Sequence, residues 1–180
     1  MIVIMSLSFF HHLLSLDHQK RTLAVGELVF ERDDPVKSLF TVESGEVHLL
    51  RRQPDGAGVV LQRATAGAVL AEASFTSQTY HCSAVAVEQS TLVVFDRKKV
   101  LALLDSDPQI ARTFNIHLAA EVQRARRRAE ILSLRRVADR LDAWLIWNDN
   151  VLPSKGRWHR VADEISVTYE ALYRELARRR

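Results

Sequence analysis

The chain has 180 residues, 47% hydrophobic and 26% charged, so it can bury a core and is not a disordered polyelectrolyte. Its six Gly and four Pro exclude collagen-like and linker-like chains, and the single cysteine, Cys82, excludes an internal disulfide and points to a reducing, cytoplasmic setting. The net charge of +3 is unevenly placed: residues 1–106 carry 10 Lys and Arg against 12 Asp and Glu (−2), residues 107–180 carry 15 against 10 (+5). A basic C-terminal third suits a polyanion, nucleic acid first, with a solvated Arg-rich helix face as the plainer alternative.

The apolar stretch from Met1 to Leu16 is interrupted by His11 and His12 and falls short of a membrane span. It lacks the basic flank and small-residue cleavage site of a signal peptide, so it is read as leading into a short helix near Phe9 to Ser15. His11, His12 and His18 read as surface residues of this segment. Short runs rich in Val, Leu and Phe follow at Leu28 to Phe30, Ser38 to Val42, Glu46 to Leu50, Val59 to Gln62 and Thr91 to Phe95. Turn signals separate them: Asp33-Asp34-Pro35, Ser44-Gly45, Pro54-Asp55-Gly56 and Ala66-Gly67. This spacing predicts a small antiparallel β-barrel or sandwich.

The period changes near residue 97. Arg97 to Leu104 reads as a short helix, and Asp107 caps a second one with Pro108 at its first position. That helix runs to about Leu132, roughly 37 Å at the usual rise. Its apolar or small residues recur at Ile110, Phe114, Leu118, Val122, Ala125, Ala129 and Leu132, one narrow stripe. A stripe of this kind predicts a partner helix, hence self-association, against the alternative of packing along the chain's own β domain.

Leu134 to Trp147 reads as a further helix, with Val137, Leu141, Trp144 and Leu145 on one face. After a polar loop come two short helices, Arg157 to Ile165 and Thr168 to Arg178, separated by Ser166-Val167. Val161, Ala162, Ile165, Leu172 and Leu176 supply their inner faces. This is the helix-turn-helix pattern. The second helix then turns Tyr169, Glu170, Tyr173 and Arg174 outward. Glu170 and Arg174 are four apart, on one face, where Arg suits guanine O6/N7 and Glu suits cytosine N4. The plainer reading of that pair is an intrahelical ion pair worth about 0.3–0.5 kcal/mol.

Barrel, long helix and helix-turn-helix in this order resemble the cyclic-AMP receptor protein (Crp/Fnr) family of bacterial transcription regulators. The residues that carry the resemblance are Ser44-Gly45-Glu46-Val47, Leu70-Ala71-Glu72-Ala73-Ser74-Phe75 and Tyr80-His81-Cys82-Ser83-Ala84-Val85-Ala86. Leu132-Ser133-Leu134-Arg135-Arg136-Val137-Ala138-Asp139-Arg140-Leu141 continues it, and Val161 to Ile165 with Thr168 to Arg174 completes it. The resemblance implies an α+β chain with a cyclic-nucleotide-binding-like jelly-roll sensor over residues 1–106, a dimerisation helix over 107–132 and a helix-turn-helix DNA-binding domain over 133–180. It implies a homodimer reading a palindromic operator, with half-sites about 34–36 Å apart, and RNA polymerase as a further candidate partner. Glu170 and Arg174 match the family's base-reading positions, and Thr168 and Tyr169 its cap and phosphate-contacting positions.

The effector pocket, which the resemblance puts at Ala71, Glu72, Ala73, His81, Cys82 and Ser83, departs from the family. Cyclic-nucleotide binders of this kind hold the phosphate with a Gly-Glu turn and an Arg in a Pro-Arg stretch. Here Glu72 stands, but Ala71 replaces the Gly and Tyr80-His81 replaces Pro-Arg. Ala125-Arg126 stands where the family has a base-binding Thr-Ser pair. Cyclic AMP is therefore not the expected ligand; the effector is an unknown small molecule, if there is one. Haem or a metal at His81-Cys82 is set behind an inert Cys, because one Cys cannot hold a cluster and adjacent strand residues face opposite ways. The family's β-hairpin wing is expected to be missing after Arg178-Arg179-Arg180, and these Arg are expected to supply some of its phosphate contacts.

Two rival readings remain. A cupin-like metalloenzyme would share the barrel but needs a His-x-His pair, and the sequence has none. A dimeric sensor that has lost DNA binding and acts through a protein partner is the second. No nucleophile–base arrangement points to an enzyme.

Overall fold

The computed structural model describes residue 9, residues 11–53, residue 56 and residues 58–179. The leading helical turn holds Phe9 and Leu13, both buried. Eight strands follow: β1 (His18–Leu23), β2 (Leu28–Phe30), β3 (Ser38–Ser44), β4 (Glu46–Arg52), β5 (Gly58–Thr65), β6 (Val69–Leu70), β7 (Ser83–Ala86) and β8 (Ser90–Asp96). They pair antiparallel in two four-stranded sheets, in the orders β1-β8-β3-β6 and β2-β7-β4-β5. The helices are α1 (Arg97–Ser106), α2 (Pro108–Ser133), α3 (Val137–Trp147), α4 (Trp158–Glu164) and α5 (Tyr169–Arg178). This is the expected α+β architecture, a jelly-roll-like β unit followed by helices. The Pro54-Asp55 part of the predicted hairpin turn lies outside the described residues, as do Arg180 and residues 1–8. Among the described residues, no helix is long and apolar enough to cross a membrane.

The roll is closed by apolar side chains from both sheets: Leu23, Phe30, Phe40, Val42, Val47, Leu49, Leu70, Ala84 and Leu92 pack together with Ala71, Tyr80 and Cys82. Gly45 makes the β3–β4 corner possible. Its φ is +85°, and a Cβ there would come within 2.5 Å of the Gln89 carbonyl oxygen. Only glycine tolerates both conditions.

Three strands, β1, the two-residue β6 and β7, lie where none was predicted. The residues of β1, HQKRTL, are mostly exposed, because β1 is an edge strand that presents its polar side chains to water and buries only Leu23. The run of β7, SAVA, is small-residued and central, too poor in bulk to read as a strand.

Asp107 caps α2 as expected, its Oδ1 accepting from the Gln109 and Ile110 amides at 2.8 and 3.2 Å. The stripe along α2 then divides. Ile110 and Phe114 are only 6% and 8% exposed and pack, with Leu118 beside them, in a cluster with Phe9, Leu13, Phe75, Phe95 and Val100. The Phe114 ring lies 4.9 Å from that of Phe9 and 5.9 Å from that of Phe75. These three residues were expected on a dimer seam and instead complete the core of the roll unit, because the leading turn and Phe75 supply the apolar partners within the chain. Val122, Ala125 and Ala129 remain exposed. The chain divides into two compact units within α2, after Leu118.

The second unit, from Ala119, has its own core of Ile131, Leu141, Trp144, Trp158, Val161, Ala162, Ile165, Leu172 and Leu176. The predicted helix from Leu134 starts later, at Val137. Leu134 to Arg136 form a linker, since Arg136 at the cap position offers no side-chain acceptor to the first amides. A single 3-10 turn, Lys155–Arg157, leads into α4.

Candidate functional site

The second unit builds a helix-turn-helix from α4, a tight turn and α5. Ser166 takes the left-handed conformation with φ 54°, and the Val167 amide donates to Ala162 O at 2.9 Å, closing the turn. Thr168 ends the turn and caps α5, its Oγ1 accepting from the Ala171 amide at 3.2 Å. Leu172, Glu175 and Leu176 form the buried face of α5. Glu170 and Arg174 stand on the exposed face, and among the described residues no ion pair forms between them. The Glu170 carboxylate is held below its usual range, first by its own backbone N–H and then by the Thr168 hydroxyl, so it is an acceptor at neutral pH.

Aromatic side chains border this face. Tyr169 is 42% exposed, its ring 5.6 Å from that of Tyr173. Tyr173 is turned sideways rather than fully outward: its ring meets Trp158 edge-on at 5.4 Å and carries the Lys155 ammonium 5.1 Å above it. The C-terminal end of α5 is clipped inward. Arg179 donates from Nε to the buried Glu175 at 2.8 Å, from Nη1 to Asp142 at 2.5 Å and from Nη2 to Ala138 O at 3.1 Å. Arg178 pairs with the other Glu175 oxygen at 3.4 Å. Of the arginines expected to reach phosphates, Arg179 is thus committed to holding α5 against α3.

In the roll unit, five of the six predicted effector residues lie on the segment between β6 and β7, and the sixth, Ser83, opens β7. Ala71 is buried with φ 72° and precedes the 3-10 turn Glu72–Ser74, with Glu72 buried and Ala73 exposed. His81 accepts the place expected of a phosphate-binding cation, but its Nδ1 lies 2.6 Å from Ser74 Oγ, which also accepts from the His81 amide at 3.2 Å. Burial first, then the charge of Arg51, pushes its pKa below the ordinary value, so the ring is neutral at pH 7. Cys82 is fully buried, and burial, with the charge of Glu72, pushes its thiol up to about 11. His81 is exposed where Cys82 is buried, so the two do not converge on one ligand. Ser83 Oγ accepts from the Arg32 amide at 3.0 Å. Tyr80 closes the segment by stacking on Phe30, ring centroids 3.9 Å apart, and donating to Ser38 O at 3.1 Å.

Comparison with known proteins now bears on both regions. Residues 20–107 match the cyclic nucleotide-binding domain family. The chain is 26% identical over 159 residues to the nitrogen fixation regulation protein FixK of Bradyrhizobium diazoefficiens, covering 83% of this chain and 66% of that protein. It is 29% identical over 124 residues to the cyclic AMP receptor protein of Thermus thermophilus, covering 68% of this chain and 57% of that protein. It therefore spans less than two thirds of the length of either relative. The structure of FixK2 from Bradyrhizobium japonicum superimposes with a TM-score of 0.73 at 19% identity, over 91% of this chain and 84% of that one. The catabolite activator protein of T. thermophilus does so with a TM-score of 0.56 at 27% identity, over 98% of this chain and 81% of that one.

The chain carries a cyclic nucleotide-binding domain and is homologous to FixK and the cyclic AMP receptor protein, both regulators of the Crp/Fnr family. Within the Crp/Fnr frame, the structure brings Thr168, Tyr169, Glu170 and Arg174 onto one exposed surface and sets Tyr173 at its edge. It brings Ala71, Glu72, His81 and Cys82 to one segment, with two of them, Ala71 and Cys82, absorbed into the apolar core. Sequence reasoning missed the structural roles of Ser74, which engages the residue in the Arg position, and of Arg140 and Arg179, whose hydrogen bonds hold the helix-turn-helix together. Ser-His pairing across seven residues leaves no periodic trace. An Arg next to the core residue Leu141 is the one signal that could have flagged Arg140, since a cation beside a core position needs buried acceptors.

Proposed function

We propose that the protein is a homodimeric, sequence-specific DNA-binding transcription regulator of the Crp/Fnr type whose effector is not cyclic AMP. The observation that carries the reading is the exposure of Glu170 and Arg174, four residues apart on the capped helix that follows a tight turn. A guanidinium and a carboxylate four residues apart on such a helix suit guanine and cytosine edges in the major groove. The basic second half of the chain supports phosphate contact around them. Dimerisation is assigned to the exposed part of the α2 stripe, Val122, Ala125 and Ala129, where the first half of the stripe is already covered.

The case against cyclic AMP rests on Ala71 and His81. Without a fixed cation at His81, the cyclic phosphate loses its bidentate, charge-assisted partner. The neutral, Ser74-bonded imidazole does not replace it. The test is selection of genomic DNA fragments by the purified chain and by Arg174→Ala at moderate salt. Enrichment of a palindromic motif by the wild type alone supports the reading. Enrichment by neither leaves the rival, a dimeric module acting through a protein partner, as the better account.

A further inference from the structure

The guanidinium of Arg140, in the first turns of α3, reaches four backbone carbonyls. Nε donates to Leu134 O at 2.7 Å and Nη2 to Leu132 O at 3.2 Å, at the end of α2 and in the linker that follows it. Nη1 donates to Ile165 O and Ser166 O, both at 3.0 Å, in the turn of the helix-turn-helix. Leu132 O is among the last carbonyls of α2, which have no partner within the helix, and Ile165 O and Ser166 O lie in the turn beyond α4, outside any helix ladder. One planar fork donates to both sets at once. It does so where the chain is strained: Ser166 holds a left-handed φ of 54° without being glycine. Thr168, which caps α5, follows two residues later.

We propose that Arg140 is a positioning residue, the joint that fixes the direction of the recognition helix α5 to the end of the long helix α2. Segments more than thirty residues apart in sequence, Leu132–Leu134 and Ile165–Ser166, share one rigid donor. A turn held to the end of α2 in this way cannot tilt independently of it. Lysine cannot substitute, because a single ammonium does not span two acceptor pairs on opposite edges of a fork.

The joint itself is tested without DNA, by amide hydrogen exchange on the full chain and its Arg140→Lys variant. The amides to follow are Leu134, bonded to Ile131 O, and Ser166 and Val167, bonded to Asp163 O and Ala162 O. Both sides are expected to exchange faster together, by on the order of tenfold. Faster exchange on one side only would overturn the joint. If Arg140→Lys loses its cooperative fold, Arg140→Gln, which can serve one side only, takes its place with the same expectation.

Ser166→Gly in the Arg140→Lys background then separates a joint from a turn support. Glycine relieves the left-handed strain, so it should restore protection at Ser166 and Val167 but not at Leu134. The DNA readout rests on the function proposed above. The ratio of affinity for the selected motif to that for non-specific DNA should fall on the order of tenfold in Arg140→Lys and stay low in the double variant. Non-specific binding should hold, since the charge is kept. Full recovery of that ratio by Ser166→Gly would reduce Arg140 to a support for the turn. A wild type that selects no motif would sink the DNA-reading function and leave the exchange result to decide the joint alone.

Discussion

The segment between β6 and β7 and the helix α5 stand differently toward the family pattern that the sequence resembles. In the roll, the shape persists: Ala71 keeps a left-handed φ of 72° at the position where the family has Gly, and Glu72 follows it in a 3-10 turn. The side chain at the position of the family's Arg is instead a neutral imidazole, bonded to Ser74, as the proposed function has it. In α5 the matching side chains, Glu170 and Arg174, stand exposed, and Arg179 ties the end of the helix to Glu175 and Asp142. A fold can therefore retain the backbone of a ligand site after its binding groups are gone. Function has to be argued from the side chains that remain, not from the frame that holds them.

The frame of the roll is the first place to press this contrast. Gly45 is still glycine where a Cβ would strike the Gln89 carbonyl and the φ is +85°. Gly45→Ala should cost about 2–4 kcal/mol, from left-handed strain plus overpacking. Thermal or urea unfolding of the full chain measures it. A cost under about 1 kcal/mol would mean that the β3–β4 corner relaxes easily and that the frame is less constrained than the contrast requires.

Restoring the lost chemistry sharpens the same point. Ala71→Gly with His81→Arg returns the two residues that the family uses for a cyclic phosphate. A charged hydrogen-bonded partner is worth about 1.5–3 kcal/mol, so the double variant should bind cyclic AMP roughly ten- to a hundredfold more tightly than the wild type by calorimetry. No gain would show that the packed interior around Tyr80, Cys82 and Leu49, rather than the missing cation, excludes the ligand.

On the reading-head side, Thr168→Ala removes the one side-chain cap of α5 and should cost about 1 kcal/mol. Thr168→Ser keeps the acceptor and should stay near the wild type in the same unfolding experiment. Equal losses in both variants would mean that the γ-methyl, not the cap, stabilises the helix start.

The parts of the fold that could be read in advance are those whose physics is local. Alternating or continuous apolar runs gave β3, β4 and β8, and Asp107-Pro108 marked the start of α2, whose cap the structure shows. The pair Thr168 and Glu170 to Arg174 was legible because a cap and an i, i+4 pair are properties of one helix. What stayed hidden depends on remote partners. The stripe of α2 looks uniform, yet Phe9 and Phe75 cover Ile110 and Phe114 and leave Val122 bare. Edge strand β1 resembles a polar loop until β8 pairs with it. Arg140 and Arg179 look like any solvated arginines, since their acceptors are backbone carbonyls and carboxylates brought from elsewhere in the second unit.

The smallest effect expected is the most direct probe of the altered site. Burial and the charge of Arg51 lower the His81 pKa in the folded chain, whereas the unfolded chain titrates near 6.5. Above that value both states are neutral, and the contribution of the pair with Ser74 is intact. As pH falls below it, the unfolded state takes up the proton first, so stability is lost progressively toward the lowered folded value. The melting temperature of the wild type should therefore drop more between pH 7.5 and 5.5 than that of His81→Gln, which keeps a side-chain hydrogen-bonding group but does not titrate. If the two curves run parallel, the imidazole protonates as freely when folded as when unfolded. The segment would then carry a cation under mildly acidic conditions, and the loss of phosphate chemistry in the roll would hold only near neutral pH.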